Sequence, residues 1–183
     1  MSLLTFKGGV HPPEKKLSEK QSIKRLPLPQ TVFMYTSNNL GAPSKIIVSV
    51  GDKVKTGQLI AQANGLISAN LHSSVTGEVV EIKKLVNSAT GMNDDVVVIK
   101  RDGDDEWELL THSEDFLSMS SEQIVDTVKQ AGIVGLGGAM FPAHVKMMIP
   151  KDKKAEILII NTAECEPYIT IDDRIMIEYS EKI

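Results

Sequence analysis

Two short stretches carry residue types that can hold an anionic cofactor. The first, GLGGAMFP at Gly135–Pro142, is glycine-rich, and the second, NTAECEP at Asn161–Pro167, places an amide and two carboxylates directly after an apolar run. A glycine-dense loop that leads into a helix exposes backbone N–H groups that can hold a phosphate. Carboxylates accept hydrogen bonds from sugar hydroxyls, and an asparagine amide both donates and accepts. Together the stretches predict a flavin or nicotinamide nucleotide site, which neither predicts alone.

Each stretch also has an ordinary structural interpretation. The glycine loop departs from the dinucleotide fingerprint G-x-G-x-x-G, because Met140 occupies the third glycine position, and it lacks the Gly-Lys-Ser/Thr of a P-loop. It also follows a predicted helix rather than a strand, so a sharp helix–helix connection is the alternative. Glu164 and Glu166 could similarly form an exposed acidic turn before Pro167.

The neighbouring residues favour the cofactor interpretation. Lys146 lies one turn into the next predicted helix, where its ammonium group can stand beside a phosphate. An apolar run at 157–160 predicts a buried strand whose carboxyl end delivers Asn161, Glu164 and Glu166. Ligands bind at that end of the strands in open α/β sheets. The prediction requires the two stretches to face a common cleft.

The elements that must position the candidate site residues follow a segment, residues 1–30, for which an extended arm is predicted. The segment contains paired glycines and prolines and a basic cluster from Lys15 to Arg25. Proline fixes φ and removes a backbone donor, which disfavours a helix or a central strand. A flexible tail is the alternative. Four apolar side chains could instead pin the arm to a neighbouring surface: Phe6, Val10, Ile23 and Leu26.

Residues 31–118 predict a β-rich domain that ends in an acidic linker. Five short β-branched runs are separated by glycines: Val32–Met34, Ile46–Val48, Leu59–Ala61, Val79–Ile82 and Val96–Ile99. Residues 50–60, with a weak echo at 75–80, resemble the hairpin of biotinyl- and lipoyl-carrier folds, the barrel-sandwich hybrid. Residues 64–71 contain no lysine that could carry a biotinyl or lipoyl group, so we expect this domain to be a structural module. The acidic run in 101–118 predicts a solvated hairpin tip or linker.

Residues 119–183 change to a helical period and predict the beginning of an α/β nucleotide-binding domain. Ser120 and Gln123 resemble a capping box, and Gly132 is a plausible end of that helix. A second helix is predicted from Pro142 to about Met148.

A final helix is predicted from Ile171 to about Lys182, after the strand at 157–160. A nucleotide-binding layer normally needs several parallel strands, and only one is predicted here. The sequence therefore predicts a mixed α+β fold, a barrel-sandwich hybrid followed by an incomplete α/β domain, and we expect the chain to be part of a longer protein.

The composition excludes several classes of function. A net charge of -4 and 4% aromatic residues disfavour nucleic-acid binding. A single cysteine excludes an internal disulfide framework and any iron–sulfur cluster ligated wholly by this chain. The four histidines lack metal-ligand spacing, so we assign no metal site and no catalytic side chain. No apolar run is long enough to span a membrane, and the first residues lack the pattern of a signal peptide.

Four motifs resemble the RnfC subunit of the Rnf electron transport complex: FKGGVHPP at 6–13, GIVGLGGA at 132–139, FPAHVK at 141–146 and NTAECEPY at 161–168. The resemblance covers essentially the whole chain, which is similar to the N-terminal part of such a subunit. The second half is more distantly similar to the flavin- and NADH-binding subunit of respiratory complex I. Relative to that protein, Leu136 replaces an arginine, Met140 a glycine and Ala163 an aspartate, so we expect the nucleotide contacts to differ in detail.

The resemblance implies an oxidoreductase or translocase subunit that exchanges electrons between NAD(H) and FMN and then passes them to iron–sulfur clusters. It implies a bacterial membrane complex that translocates ions and is linked to ferredoxin, with this chain peripheral on the cytoplasmic side. The other subunits are the implied partners, and the 4Fe-4S clusters are expected only in a later region. The resemblance places the cofactor on Gly135, Gly137, Gly138, Ala139, Phe141, Lys146, Asn161, Glu164 and Glu166.

Two other functions remain open at this point. One is a soluble paralogue that feeds electrons to an amino-acid reductase, and the other is a non-enzymatic docking module whose β domain and arm bind partner subunits. We further expect these 183 residues alone to bind FMN weakly or not at all and to be inactive, because most of the predicted sheet is not among them.

Overall fold

The structure is a computed structural model that describes residues 8–10, 12–110, 115–136, 139–150 and 152–182. The chain divides into two compact units. The larger unit is Leu28–Ala155, and the smaller unit combines the described residues up to Pro27 with those from Glu156 onward. The glycine-rich stretch therefore belongs to the larger unit, and the Asn161–Pro167 stretch belongs to the smaller one.

Two antiparallel sheets build the larger unit. In chain order, the strands are β1 (Thr31–Tyr35), β2 (Lys45–Ile46), β3 (Lys53–Val54), β4 (Leu59–Gln62), β5 (Leu71–His72), β6 (Gly77–Val86) and β7 (Asn93–Arg101). One sheet has the order β1-β7-β6-β3, and the other has the order β2-β4-β5. Each of the five predicted apolar runs contributes to one of these strands.

The core of the larger unit is built from apolar side chains of the two sheets. Its buried members come from both sheets and their connections: Val54, Ile60, Ala61, Leu71, Val75, Val79, Val97 and Ile99. Strand β7 pairs with β1 on one side and with β6 on the other, so its backbone groups are satisfied on both edges. Its run Val96–Ile99 is buried throughout.

The two echoing segments at 50–60 and 75–80 pair with each other. The N–H of Gly51 donates to the carbonyl of Val79, and the N–H of Val79 donates to the carbonyl of Asp52, at 2.8 and 2.9 Å. Lys53 then lies opposite Glu78 in the β3–β6 ladder. The acidic stretch after β7 turns back onto this pair, because the carbonyl of Glu106 accepts the N–H of Thr56.

Helix α1 (Ser121–Gln130) begins and ends as the sequence predicts. Ser120 and Gln123 form the reciprocal capping box, and Gly132 adopts a φ of 66° after the last turn. Helix α2 (Ala143–Lys146) is only one turn long and stops before the predicted Met148. No helix among the described residues has the length and apolar character needed to cross a membrane.

The smaller unit contains helix α3 (Ile171–Glu178) followed by a 3₁₀ turn, Ser180–Lys182, where the sequence predicts one continuous helix. The predicted buried strand at 157–160 is wrong. Ile157, Leu158, Ile159 and Ile160 have no regular secondary structure and are 81, 88, 82 and 59% exposed. A strand needs hydrogen-bonding neighbours, and no strand of the described chain pairs with these residues.

The described part of the N-terminal arm has no helix or strand and contains a turn at residues 17–20, and polar contacts link it to the rest of the smaller unit. Of the four predicted apolar anchors, Ile23 is half-buried, Val10 and Leu26 are exposed, and Phe6 lies outside the described residues. Within the smaller unit, the Ser18 and Thr170 hydroxyls are 2.8 Å apart, and the backbone N–H of Ile23 donates to both carboxylate oxygens of Glu178.

Candidate cofactor-binding site

The two flanks of the glycine loop, residues 133–135 and 141–143, run antiparallel to each other after helix α1. Val134 and Pro142 lie opposite each other, with the N–H of Gly135 donating to the carbonyl of Phe141 at 3.0 Å. The N–H of Ala143 donates to the carbonyl of Ile133 at 2.8 Å. Backbone hydrogen bonds on both sides of the 134–142 pair thus close the loop and fix where it meets α2.

Lys146 lies directly beside the first glycine of this loop. A Cβ atom added to Gly135 would come within 2.8 Å of the Lys146 Nζ and 3.8 Å of the Phe141 carbonyl oxygen. Gly135 does not have a positive φ, so the backbone conformation does not require glycine, and a Cβ atom here would displace the end of the lysine side chain. The small residue leaves room for the lysine ammonium group against the loop backbone.

The loop and Lys146 together supply unpaired hydrogen-bond donors. Within the part of the chain that the structure describes, the N–H groups of Leu136, Ala139 and Phe141 donate to no protein acceptor, and Lys146 forms no ion pair there. Because α2 has a single turn, its macrodipole adds less than the sequence suggests. Loop amides and one ammonium group are the donors available to an anion.

Met140 has a φ of 51°, in the left-handed region that glycine adopts without strain. The carbonyl of Met140 accepts the N–H of Leu40 at 3.3 Å. Such a conformation costs a non-glycine residue about 1–2 kcal/mol, which the surrounding hydrogen bonds must offset. The loop is thus held in a strained conformation, a feature common at ligand-binding loops.

The second predicted stretch forms a compact turn before helix α3. The Asn161 side-chain oxygen accepts the N–H of Ala163 at 3.0 Å, in an Asx turn. Glu164 Oε1 accepts the N–H of Asp173 at 3.2 Å, in the first turn of α3. Thr170, the residue before α3, makes no side-chain capping bond, so Glu164 satisfies one of the free donors at that helix end.

The other oxygen of Glu164, Oε2, is buried and has no hydrogen-bond partner among the described residues. A buried carboxylate oxygen without a donor is costly, and an unpaired one needs a physical explanation. A hydroxyl group of a bound molecule is a donor of the right kind. Glu164 therefore has one oxygen committed to the fold and one without a partner among the described residues.

Glu166 is exposed, and its backbone rather than its side chain is fixed. Lys16 Nζ donates to the carbonyl oxygens of Glu166 and Ile169, at 3.2 and 2.9 Å. The arm also contacts α3, because Arg174 donates to the Glu19 carbonyl and to the Glu178 carboxylate. The bond from Arg174 lowers the pKa of Glu178 against the opposing effect of burial, and the Ile23 N–H lowers it further.

The predicted site residues therefore divide between the two units. Gly135, Ala139, Phe141 and Lys146 belong to the larger unit, and Asn161, Glu164 and Glu166 belong to the smaller one. Gly137 and Gly138 lie outside the described residues. The common cleft stays a prediction.

Sequence reasoning missed several residues that hold these stretches. Lys16 contacts a segment about 150 positions away, and Leu40 contacts Met140 from the β domain. His144 on α2 is 2% exposed, and its Nε2 has no hydrogen-bond partner among the described residues. Nothing in the spacing of these residues signals their contacts, because each depends on segments distant in sequence.

Comparison with known families assigns both parts of the chain. Residues 4–104 match the RnfC barrel sandwich hybrid domain, and residues 128–183 match the Nuo51 FMN-binding domain. The chain belongs to the RnfC family. The first match confirms the predicted barrel-sandwich hybrid, and the second confirms the predicted similarity to the flavin-binding subunit of complex I.

Individual relatives in the RnfC family match nearly the whole chain. It is 43% identical to the C subunit of a proton-translocating ferredoxin:NAD(+) oxidoreductase complex of Clostridium ljungdahlii, over 99% of this chain and 40% of the relative. It is 41% identical to the C subunit of a Na(+)-translocating ferredoxin:NAD(+) oxidoreductase complex of Acetobacterium woodii, over 98% of this chain and 41% of the relative.

The C subunit of an ion-translocating oxidoreductase complex of Haemophilus influenzae is 39% identical, over 99% of this chain and 22% of the relative. The chain thus spans about two fifths or less of the length of these curated relatives. The RnfC motifs singled out from the sequence all lie within the shared part.

Proposed function

We propose that this chain is the N-terminal part of an RnfC-type subunit that binds FMN and exchanges electrons between NAD(H) and FMN. The electrons then pass to iron–sulfur clusters within a ferredoxin-linked, ion-translocating membrane complex. The chain associates with the cytoplasmic side of the membrane through other subunits of that complex, and ferredoxin is an indirect partner. FMN supplies the hydride and single-electron chemistry when it is bound.

The arrangement of Lys146 against Gly135 is the main support for this proposal. The ammonium group stands beside Gly135, in the loop whose Leu136, Ala139 and Phe141 amides have no acceptor among the described residues. An ammonium group and free loop amides are the donors that a phosphate needs. The loop also lies inside the segment similar to an FMN-binding domain. Gly135, Gly137, Gly138, Ala139 and Phe141 provide the loop, and Lys146 provides the charge.

The Asn161–Glu166 stretch supplies complementary acceptors. The free oxygen of Glu164 suits a ribityl or ribose hydroxyl. The Asn161 side-chain N–H₂ group has no acceptor among the described residues, and it suits the edge of a flavin ring. Glu166 is exposed and can accept a further hydroxyl of the flavin or the incoming dinucleotide. These roles require the two units to approach each other around the cofactor.

Flavin titration of the complete natural protein tests the proposal. Replacing Lys146 with alanine removes a charged hydrogen-bond donor, so we expect FMN binding to weaken by about 1–3 kcal/mol. Lys100→Ala is the matched control, because Lys100 is an exposed lysine on strand β7 of the same unit. An unchanged dissociation constant for Lys146→Ala would remove this residue from the site, and a complete protein without flavin affinity would favour a docking function.

A further inference from the structure

The β domain contacts the end of helix α1, at the entry to the glycine loop, and Met140, at the exit of the loop. At the entry, the Asn70 side chain reaches the end of helix α1, where its Nδ2 donates to the carbonyl of Gln130 at 3.1 Å. At the exit, the N–H of Leu40 donates to the carbonyl of Met140. All of these residues belong to the larger unit.

Asn70 is a buried polar residue with both ends of its side chain in use. It directly precedes β5 and is 6% exposed. Its Oδ1 accepts the N–H of Ala63, the residue after β4, at 2.9 Å. Its Nδ2 satisfies the carbonyl of Gln130, one of the last helical carbonyls, which lack partners within the helix. One side chain therefore joins a strand end of the β domain to the end of α1.

The backbone of Asn70 also lies close to Gly132, the residue that precedes the turn leading into the loop. A Cβ atom added to Gly132 would lie 2.3 Å from the Asn70 carbonyl oxygen, and Gly132 has a φ of 66°. Glycine is required at this position both for its conformation and for the close approach of the β domain. The turn that carries Gly135 and Phe141 begins at the next residue.

We propose that the β domain is a rigid support for the glycine loop and that Asn70 is the positioning residue that transmits this support. The proposal rests on the proposed function, because it assigns the β domain a role in cofactor affinity. Without the Asn70 link, the end of α1 and the loop after it lose a fixed reference to the buried core. The loop amides and Lys146 are then less well ordered before the cofactor binds, which weakens binding.

Hydrogen exchange and flavin titration of the complete protein test this role. Asn70→Asp keeps the acceptor for Ala63 and loses the donor to Gln130, so we expect amides of 133–146 to exchange about tenfold faster, the effect of losing one hydrogen bond. The FMN dissociation constant should rise by about tenfold. The amides of β6 and β7 should keep their exchange rates. Ser73→Ala is the control, because Ser73 is also buried and its hydroxyl bonds only to the backbone of Val75, within the β domain.

Gly132→Ala provides a second variant in case Asn70→Asp disturbs the β domain itself. It changes no residue of the β domain and forces the end of α1 away from the Asn70 backbone, so it should give the same loop-restricted acceleration. Unchanged loop exchange in both variants, or acceleration that always extends to β6 and β7, would overturn the proposal. If loop exchange accelerates but the unaltered protein binds no FMN, then the positioning role stands and the proposed cofactor function fails.

Discussion

The apolar runs Val96–Ile99 and Ile157–Ile160 have similar composition and opposite environments. The first lies in β7 between two neighbouring strands and is buried, whereas the second has no strand partner in the described chain and is exposed. β-branched residues favour a strand only when the backbone finds partners and the side chains find a face to pack against. The comparison shows that an apolar run predicts a segment able to form a strand. Whether the strand forms depends on the strands that can pair with it.

The same contrast extends to the two units as wholes. The larger unit has a continuous apolar core, with helix α1 joined to the β domain by a buried asparagine. The smaller unit is held by polar contacts between the arm and the Glu166–Glu178 segment. Burial of apolar area contributes more to stability than partly exposed hydrogen bonds do. We therefore expect the two units to respond very differently to equivalent substitutions.

The largest difference in the free energy of unfolding is expected when an isoleucine is replaced by alanine in each of the two units. Ile60→Ala removes a fully buried side chain from the core, and should lower the free energy of unfolding by about 2–5 kcal/mol. Ile159→Ala changes an exposed side chain, and should alter it by less than about 0.5 kcal/mol. Urea unfolding followed by the fluorescence of Trp107, the single tryptophan, measures the larger unit. Equal effects of the two substitutions would contradict the comparison.

A smaller effect is expected at Asp94, a buried carboxylate in β7. Its oxygens accept the Thr36 hydroxyl at 2.7 Å and the Ser37 N–H at 2.9 Å. Burial raises the pKa of Asp94, but these bonds and one from Asn87 outweigh burial, so the pKa is lowered. Asp94→Ala should lower the free energy of unfolding by about 1–3 kcal/mol at pH 7.

The pH dependence of this contribution has a definite sign. The pKa of Asp94 is lowered in the folded protein. Its contribution to the free energy of unfolding is therefore complete above the ordinary aspartate pKa of about 3.9, and it is lost as the pH falls through the lowered pKa. Asp95→Ala is the control, since Asp95 is exposed and its side chain forms a surface ion pair with Lys84. An acid unfolding profile unchanged by Asp94→Ala would exclude this role.

The smallest effect is expected at the arm of the smaller unit. Lys16→Met removes the donor to the carbonyls of Glu166 and Ile169, and should destabilise the local structure by about 1 kcal/mol. Hydrogen exchange of the 166–173 amides should then accelerate several-fold. Lys15→Met is the control, because it removes the same charge from the exposed neighbouring side chain on the arm. Identical exchange in the two variants would show that the arm does not hold this segment.

Much of the fold was predictable because its signals are local. The five β-branched runs, the capping box at Ser120 and the glycine after α1 each depend on a few adjacent residues. The ends of α2 and α3 were predicted less well, because a helix continues only while packing supports it. In the candidate site, glycine density and the position of Lys146 pointed to the loop, but only the structure shows the lysine ammonium group directly beside Gly135.

By itself, the sequence determined the family, the β-rich first domain and the residue types of a nucleotide-binding loop, since these are encoded in composition and short motifs. The tertiary structure decided which atoms of those residues are already used, such as one oxygen of Glu164. It also decided that the β domain contacts the end of α1 through Asn70 and the loop through Leu40. Hydrogen bonds between segments 60 or more positions apart leave no periodic signal, because they depend on how the chain packs rather than on local spacing.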